Sequence, residues 1–510
     1  MTLKEIRTYY SEYPFKVIFF IALLVRIIAA IFSKGYGWHD DQFLIIEVAQ
    51  SWVDGIDYYG WLPTQDGLGQ PEGFSFFYVG LHYIIFSILE SIGITNSESK
   101  MLIIRLLHAL WSTITVYYGI KITDKISNSR NAKIVGWLLA LFWIFPMISV
   151  RNLTEYVSIP PLMYGLWVIV SSDSKTNYYR WFWAGIVMGI AFNIRFQSGL
   201  IIGSMGLVLL FQKKWLSTIV LGIGVILSII LVQGGIDYLV WKKPLVQLLQ
   251  YVTYNSDGTN ISGYPQGDWY VYILFISGIM IPPISIFILT GMFKEWKRIL
   301  IIFLPVILFL MFHSYYPNKQ ERFVVTIMPF IMIIGIIGWQ RIVCNIRSDR
   351  VKSIIRGSWI FFWLINFLLL IPITIMYSKK ARVETMIYMA QFDDINNFMI
   401  EDVNRNVLGF PPQFYLKSWY NYHTLLGDSN FEEFAMERKN DSPEFTPGFI
   451  LFYQPDNLEQ RVENIKTIYP NLTFEVKIEP GYMDKVLYWL NPINANQNIY
   501  IYRNTDILPL

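Results

Sequence analysis

Cysteine is almost missing from this chain. Cys344 is the only one in 510 residues, so an intrachain disulfide, an iron–sulfur cluster and a CxxC zinc site are all excluded. The five histidines are scattered and never fall in HExxH spacing, which removes the commonest zinc-hydrolase pattern. Charge is scarce too. Only 15% of residues are Asp, Glu, Lys or Arg, the net charge is +3, and no basic run is dense enough to expect nucleic acid as a partner. There is no internal repeat and no low-complexity linker. What remains is apolar: 54% of residues are hydrophobic and the mean hydropathy is +0.39. That balance predicts a polytopic α-helical membrane protein, with membrane lipids as its first partners.

A helix needs ~20 mostly apolar residues to cross a bilayer. Eleven spans are predicted, near 17–33, 101–120, 134–150, 157–172, 181–196, 198–211, 216–235, 270–293, 299–313, 323–342 and 357–377. The segment 17–33 reads as a retained span, because no small-residue cleavage site accompanies it. A further apolar stretch, 74–92, sets the topology. If it crossed, the basic loop 121–133 would face outward, against the preference of such loops for the cytoplasm. Gly80, His82 and Glu90 also suit a helix lying on the surface. With 74–92 interfacial, the N-terminus is inside, and the loops 34–100 and 236–269 are outside. Residues 1–377 are then the membrane domain. Residues 378–510 alternate apolar residues with acids, Asn and Pro, and predict a small α/β domain on the outer face. Its expected elements are an amphipathic helix over 384–401 and strands at 449–453, 474–478 and 499–502.

Three polar clusters share the outer face. His39-Asp40-Asp41-Gln42 follows the first span. Arg151 and Glu155 sit between the third and fourth. Lys319-Gln320-Glu321-Arg322 opens the tenth. Arg195 ends the fifth span. For Asp40 and Asp41 the residues alone leave solvated surface, a metal site and a general base open. A helix-end ion pair serves equally well for Arg151 and Glu155, and interfacial snorkelling for Arg195. Arg26, Arg105 and His108 lie within spans, where structural pairing is the expectation. The aromatics of 237–270 fit an interfacial belt or a stacking surface for sugar or isoprenoid.

In order along the chain, these motifs resemble family-22 glycosyltransferases of the GT-C fold, the polyprenyl-phosphate-mannose-dependent α-mannosyltransferases and their bacterial relatives. The family's H-P-D-E-like element is matched by His39-Asp40-Asp41-Gln42. Its long external loop motif is matched by Asp237, Trp241, Pro244, Leu248, Tyr254-Asn255, Gly263, Pro265 and Trp269-Tyr270. Its H-K-E-x-R-F element is matched by Asn318-Lys319-Gln320-Glu321-Arg322-Phe323. Here a Pro of the first motif is Asp40 and its Glu is Gln42, while the His and Glu of the third are Asn318 and Gln320.

The resemblance implies a GT-C bundle and a polyprenyl-phosphate sugar donor, mannose foremost, used with inversion on a glycan or glycolipid acceptor. Asp41 takes the family's Asp position and is the expected base, with Asp40 in reserve. Lys319 and Arg322 would meet the charge on the departing phosphate. His39, Gln42, Arg151, Glu155, Arg195, Asp237, Trp241, Asn255, Trp269 and Glu321 complete the expected substrate-binding set. No metal and no cofactor is expected. Other readings are a GT-C transferase for another sugar, a metal-dependent oligosaccharyltransferase using Asp40, Asp41 and Glu155, and a transporter or flippase. The expected location is the bacterial inner membrane with the active site outside, the alternative being the endoplasmic reticulum membrane.

Overall fold

The computed structural model describes residues 3–509 apart from 64–70, 173–176, 257–265, 394, 396, 417, 440–441, 443 and 493–495. Gly263 and Pro265 of the long-loop motif lie outside the described residues. The chain folds as two compact units. The first comprises Met1–Ile31, Tyr59–Ile85 and Leu102–Thr374; the second comprises Phe32–Tyr58, Phe86–Met101 and Ile375–Leu510. Two pieces of the 34–100 loop thus join the C-terminal residues in one unit.

Helices cover each of the eleven apolar segments. Among the described residues, five are individually long and apolar enough to cross a membrane: Pro14–Phe32, Ser97–Ile126, Trp215–Trp241, Glu321–Cys344 and Asp349–Thr374. Other predicted segments are broken. Residues 142–144 interrupt the third, and the eighth is split into Val271–Ile279 and Ile284–Met292. The stretch 329–339 is buried on every side. Glycine makes this possible: a Cβ on Gly338 would collide with the Gly291 carbonyl, and one on Gly335 with Ile288. Small residues at such crossings let helix backbones touch.

The cations inside spans are structural. Arg26 donates to the carbonyls of Leu139 (2.9 Å) and Ala140 (3.3 Å) at the end of helix Ser129–Leu141. Arg105 donates to the Ala30 carbonyl at 2.7 Å. Each answers carbonyls that a helix end leaves without an intrahelical partner. His108 accepts or donates at 2.5 Å to the Tyr78 hydroxyl.

The apolar segment 74–92 forms a helix over Phe76–Ser91, 16 residues, or about 24 Å at 1.5 Å per residue. That falls short of a full hydrocarbon core. The interfacial assignment makes a sharp expectation. Thr95→Cys and Ser129→Cys, each in a Cys344→Ser background, are treated in whole cells with a membrane-impermeant thiol reagent. Thr95 should label and Ser129 should not; the reverse would show that the helix crosses.

The second unit holds a five-stranded sheet. Its strands are β1 (Phe398–Asp402), β2 (Tyr422–Leu426), β3 (Phe449–Tyr453), β4 (Leu472–Ile478) and β5 (Ile499–Asn504), in the order β2-β1-β3-β5-β4. The pairs β1–β2 and β1–β3 are parallel; β3–β5 and β4–β5 are antiparallel. The three expected strands appear as β3, β4 and β5. The helix expected over 384–401 is corrected: it runs only over Lys380–Met389, and 398–402 is β1. Every residue of β1 is buried, so its Phe-Met-Ile run meets apolar neighbours on both faces and its period is hidden. Helix Leu458–Lys466 packs Val462 and Ile465 onto Met399, Ile450 and Phe452.

Candidate active site

In the first unit the candidate site is built on Glu155. The chain leaves helix Phe145–Ile148, passes Arg151–Leu153 without regular structure, and enters the single turn Thr154–Val157. The Glu155 carbonyl accepts from the Thr326 hydroxyl at 3.0 Å, fixing this turn to the 3₁₀ segment Glu321–Ile327. The Glu155 carboxylate is 1% exposed. Arg195 Nη1 lies 3.0 Å and Arg322 Nε 3.4 Å from its Oε1. Arg195 also donates to Thr154 Oγ1 at 3.2 Å, and Arg322 to Gln320 Oε1 at 2.8 Å. Phe323 presents its ring to both guanidinium groups, with centroids 5.3 and 5.8 Å away. One buried carboxylate therefore faces two arginines. Arg151 is buried at the turn that leads into this trio.

The Lys319 side chain turns back on the helix that precedes it. Its ammonium donates to the carbonyls of His313 and Ser314, each at 2.9 Å, and to that of Tyr316. These close the end of helix Leu300–Tyr315, and an ammonium has only three N–H donors. Burial holds the Lys319 pKa below the ordinary lysine value. Asn318 pairs in a short bridge with Gln266. Glu321 is exposed.

Asp237 is also a structural hub. It is fully buried, accepting from Gln233 Nε2 at 2.9 Å and from the Gln247 amide at 3.1 Å. Gln233 in turn accepts from Ser75, and Gln247 from the Gly73 amide. The segment 233–247 is thereby tied to residues 73–75. Asn255 holds the Tyr251 carbonyl and the Tyr316 hydroxyl. Trp241 packs toward Phe76, and Trp269 is 66% exposed.

The first motif lies in the second unit. Asp41 is 3% exposed. Its Oδ1 accepts from the Trp38 amide at 2.9 Å and its Oδ2 from the Gly37 amide at 3.1 Å. Asp40 is half-buried and His39 exposed; His39 stacks on Phe43 at 4.6 Å. Gln42 is buried and donates to Glu47 Oε1 at 3.3 Å. Glu47, fully buried, was not anticipated. It reads in the sequence as one acid in a helical apolar run, and its importance appears only when Gln42 and the Phe414 amide converge on it. Among the described residues no three His, Cys, Asp or Glu side chains gather as a metal site would require.

The family model for the Alg9-like mannosyltransferases matches residues 17–422. The chain belongs to this family. Among curated proteins none matches it by sequence. Solved structures do match in fold. ArnT from Cupriavidus metallidurans bound to undecaprenyl phosphate superposes with a TM-score of 0.60 at 12% identity, covering 96% of this chain and 98% of that one. Its apo state gives 0.58 at 13%, with the same coverage. The Archaeoglobus fulgidus oligosaccharyltransferase in complex with Zn and sulfate gives 0.50 at 12%, covering 86% of this chain and 68% of that one. An Alg9-like chain with these neighbours is an integral membrane glycosyltransferase of the GT-C fold, polytopic and helical, with a C-terminal sheet domain.

Proposed function

We propose that this enzyme transfers a hexose, mannose in the first place, from a polyprenyl-phosphate sugar to a glycan or glycolipid acceptor, with inversion at the anomeric carbon. With eleven spans and the basic loops inside, the reaction would take place on the outer side of a bacterial inner membrane. The Glu155–Arg195–Arg322 trio supports this reading most strongly. Guanidinium groups suit a phosphate, Glu155 sets two of them side by side, and the ArnT structure similar in fold is described as bound to undecaprenyl phosphate.

In the reaction the acceptor hydroxyl gives its proton to the Asp41 carboxylate as its oxygen attacks the anomeric carbon. The bond from that carbon to the phosphate oxygen breaks, and its electron pair leaves with the polyprenyl phosphate. Arg322 and Arg195 meet the charge that develops there, fixed in advance by Glu155 and Phe323 rather than recruited from solvent. Lys319 supports them by closing the helix before the loop. Transfer from synthetic lipid-phosphate sugars to a glycolipid extract, with the product mass measured, tests the reading directly.

Arg322→Ala is expected to weaken donor use by about tenfold to a hundredfold, the effect of losing a charge-assisted contact of ~1.5–3 kcal/mol. The competing role is that of a plain membrane-interface anchor. Arg322→Lys distinguishes them, because lysine anchors as well but cannot make a bidentate phosphate contact. Wild-type donor affinity in Arg322→Lys would remove Arg322 from the site.

A further inference from the structure

We infer that Lys379, held by Asp484, is a positioning residue for the proposed base Asp41, acting through the peptide group between Gly37 and Trp38. The inference rests on the assignment of Asp41 made above. All its parts lie in the second unit.

Lys379 Nζ donates to the Gly37 carbonyl at 3.1 Å. The amide N–H of that same peptide group is the one on Trp38, and it donates to Asp41 Oδ1 at 2.9 Å. The ammonium, the peptide and the carboxylate are therefore in series. A cation on the carbonyl draws electron density through the amide and makes its N–H a stronger donor, the cooperative strengthening expected of hydrogen-bond chains. The neighbouring Gly37 amide holds Asp41 Oδ2 at 3.1 Å. Two donors on adjacent residues thus fix both oxygens, and the peptide that presents one of them is gripped from behind by Lys379.

Lys379 is itself firmly placed. Its φ is +53°, a left-handed conformation that is unfavourable for a non-glycine residue. The buried Asp484 compensates by accepting from the amides of Lys379 and Lys380, both at 3.1 Å, and of Gly481 at 3.2 Å. The Lys379 ammonium lies 4.3 Å from the centre of the Tyr36 ring. One residue earlier, the Ser378 amide donates to the Lys34 carbonyl at 3.1 Å. Gly35 bridges to Ser378 there, so closely that a Cβ on Gly35 would strike the Ser378 carbonyl. The segment 378–380 is a clasp closed on 34–37, and Asp41 hangs from it.

The test uses the full-length enzyme and the transfer assay above, with four variants. Lys379→Met should lower kcat by about tenfold or more, since small misplacement of a reacting group is costly, while the donor KM stays within twofold. Lys379→Arg should restore most of kcat, because it keeps a cation and a donor. Asp484→Asn should lower kcat in the same direction, less steeply. Asp41→Asn reports on the underlying assignment. If Asp41→Asn keeps near-normal turnover, the base assignment fails whatever Lys379 does. If Asp41→Asn is inactive while Lys379→Met turns over at the wild-type kcat, the positioning role is overturned. A merely structural role would lower the amount of folded enzyme and leave kcat per folded molecule unchanged, and that outcome also overturns it. Should Lys379→Met fail to fold, Lys379→Gln, which keeps a donor without charge, is read by the same criteria.

Discussion

Asp41→Asn is expected to abolish transfer while leaving a folded protein. A general base contributes about 10²–10⁴-fold, and the amide cannot take a proton usefully, so turnover should fall at least a hundredfold. The substitution has a local cost as well. The two carboxylate oxygens accept from two different amides, and an asparagine offers an acceptor to only one of them. The mismatch should cost about 1 kcal/mol of stability, too little to unfold a protein of this size and too little to explain the rate. Asp40→Asn is the matched comparison, since Asp40 is half-buried beside it. Loss of turnover in Asp40→Asn with retention in Asp41→Asn would move the base to Asp40.

The second large effect concerns stability. Arg461 is 4% exposed and Glu401 is 1% exposed. Arg461 Nε meets the two Glu401 carboxylate oxygens at 3.1 and 2.8 Å. Its other nitrogens donate to the carbonyls of Glu401, Tyr453, Gln454 and Asp456 at 2.8–3.2 Å. One guanidinium thus stitches the ends of the parallel strands β1 and β3 together. Burial pushes the Glu401 carboxyl above its usual range, and the Arg461 contacts offset part of that rise. Arg461→Met should therefore destabilise the second unit by about 3–5 kcal/mol, the cost of leaving a buried charge without its partner. Faster hydrogen exchange over 398–402 and 449–453 in the full-length protein would report it. Glu401→Leu combined with Arg461→Met should recover much of the loss. An unaltered exchange pattern in Arg461→Met would show that the pair contributes little.

The sequence made the membrane character and the positions of the helices plain, because long apolar runs leave few other structures open. It was less informative where tertiary contact decides. Strand β1 is buried on both faces, so Phe398-Met399-Ile400 shows no alternation and reads as readily as the end of a helix. The motif residues were legible by type but not by task. Asp237 and Lys319 stand at family positions, yet their hydrogen bonds go to the protein's own backbone and glutamines. Glu155 read as half of a helix-end ion pair with Arg151, yet it meets Arg322 at 3.4 Å across 167 residues of chain. Lys379 gave no local signal, since Gly37 lies 342 residues away, and Glu47 and Asp484 each combine one near partner with distant ones that the sequence does not show.

The clasp between 378–380 and 34–37 also sets a clock on biogenesis. Gly37 and Lys379 are 342 residues apart. At roughly 5–20 residues per second of synthesis, the Asp41 segment waits on the order of 17–70 s before its partner emerges. Through that interval the membrane helices insert around a loop that lacks its clamp. A chain released early would carry the whole first loop and leave the Asp41 segment without its clamp.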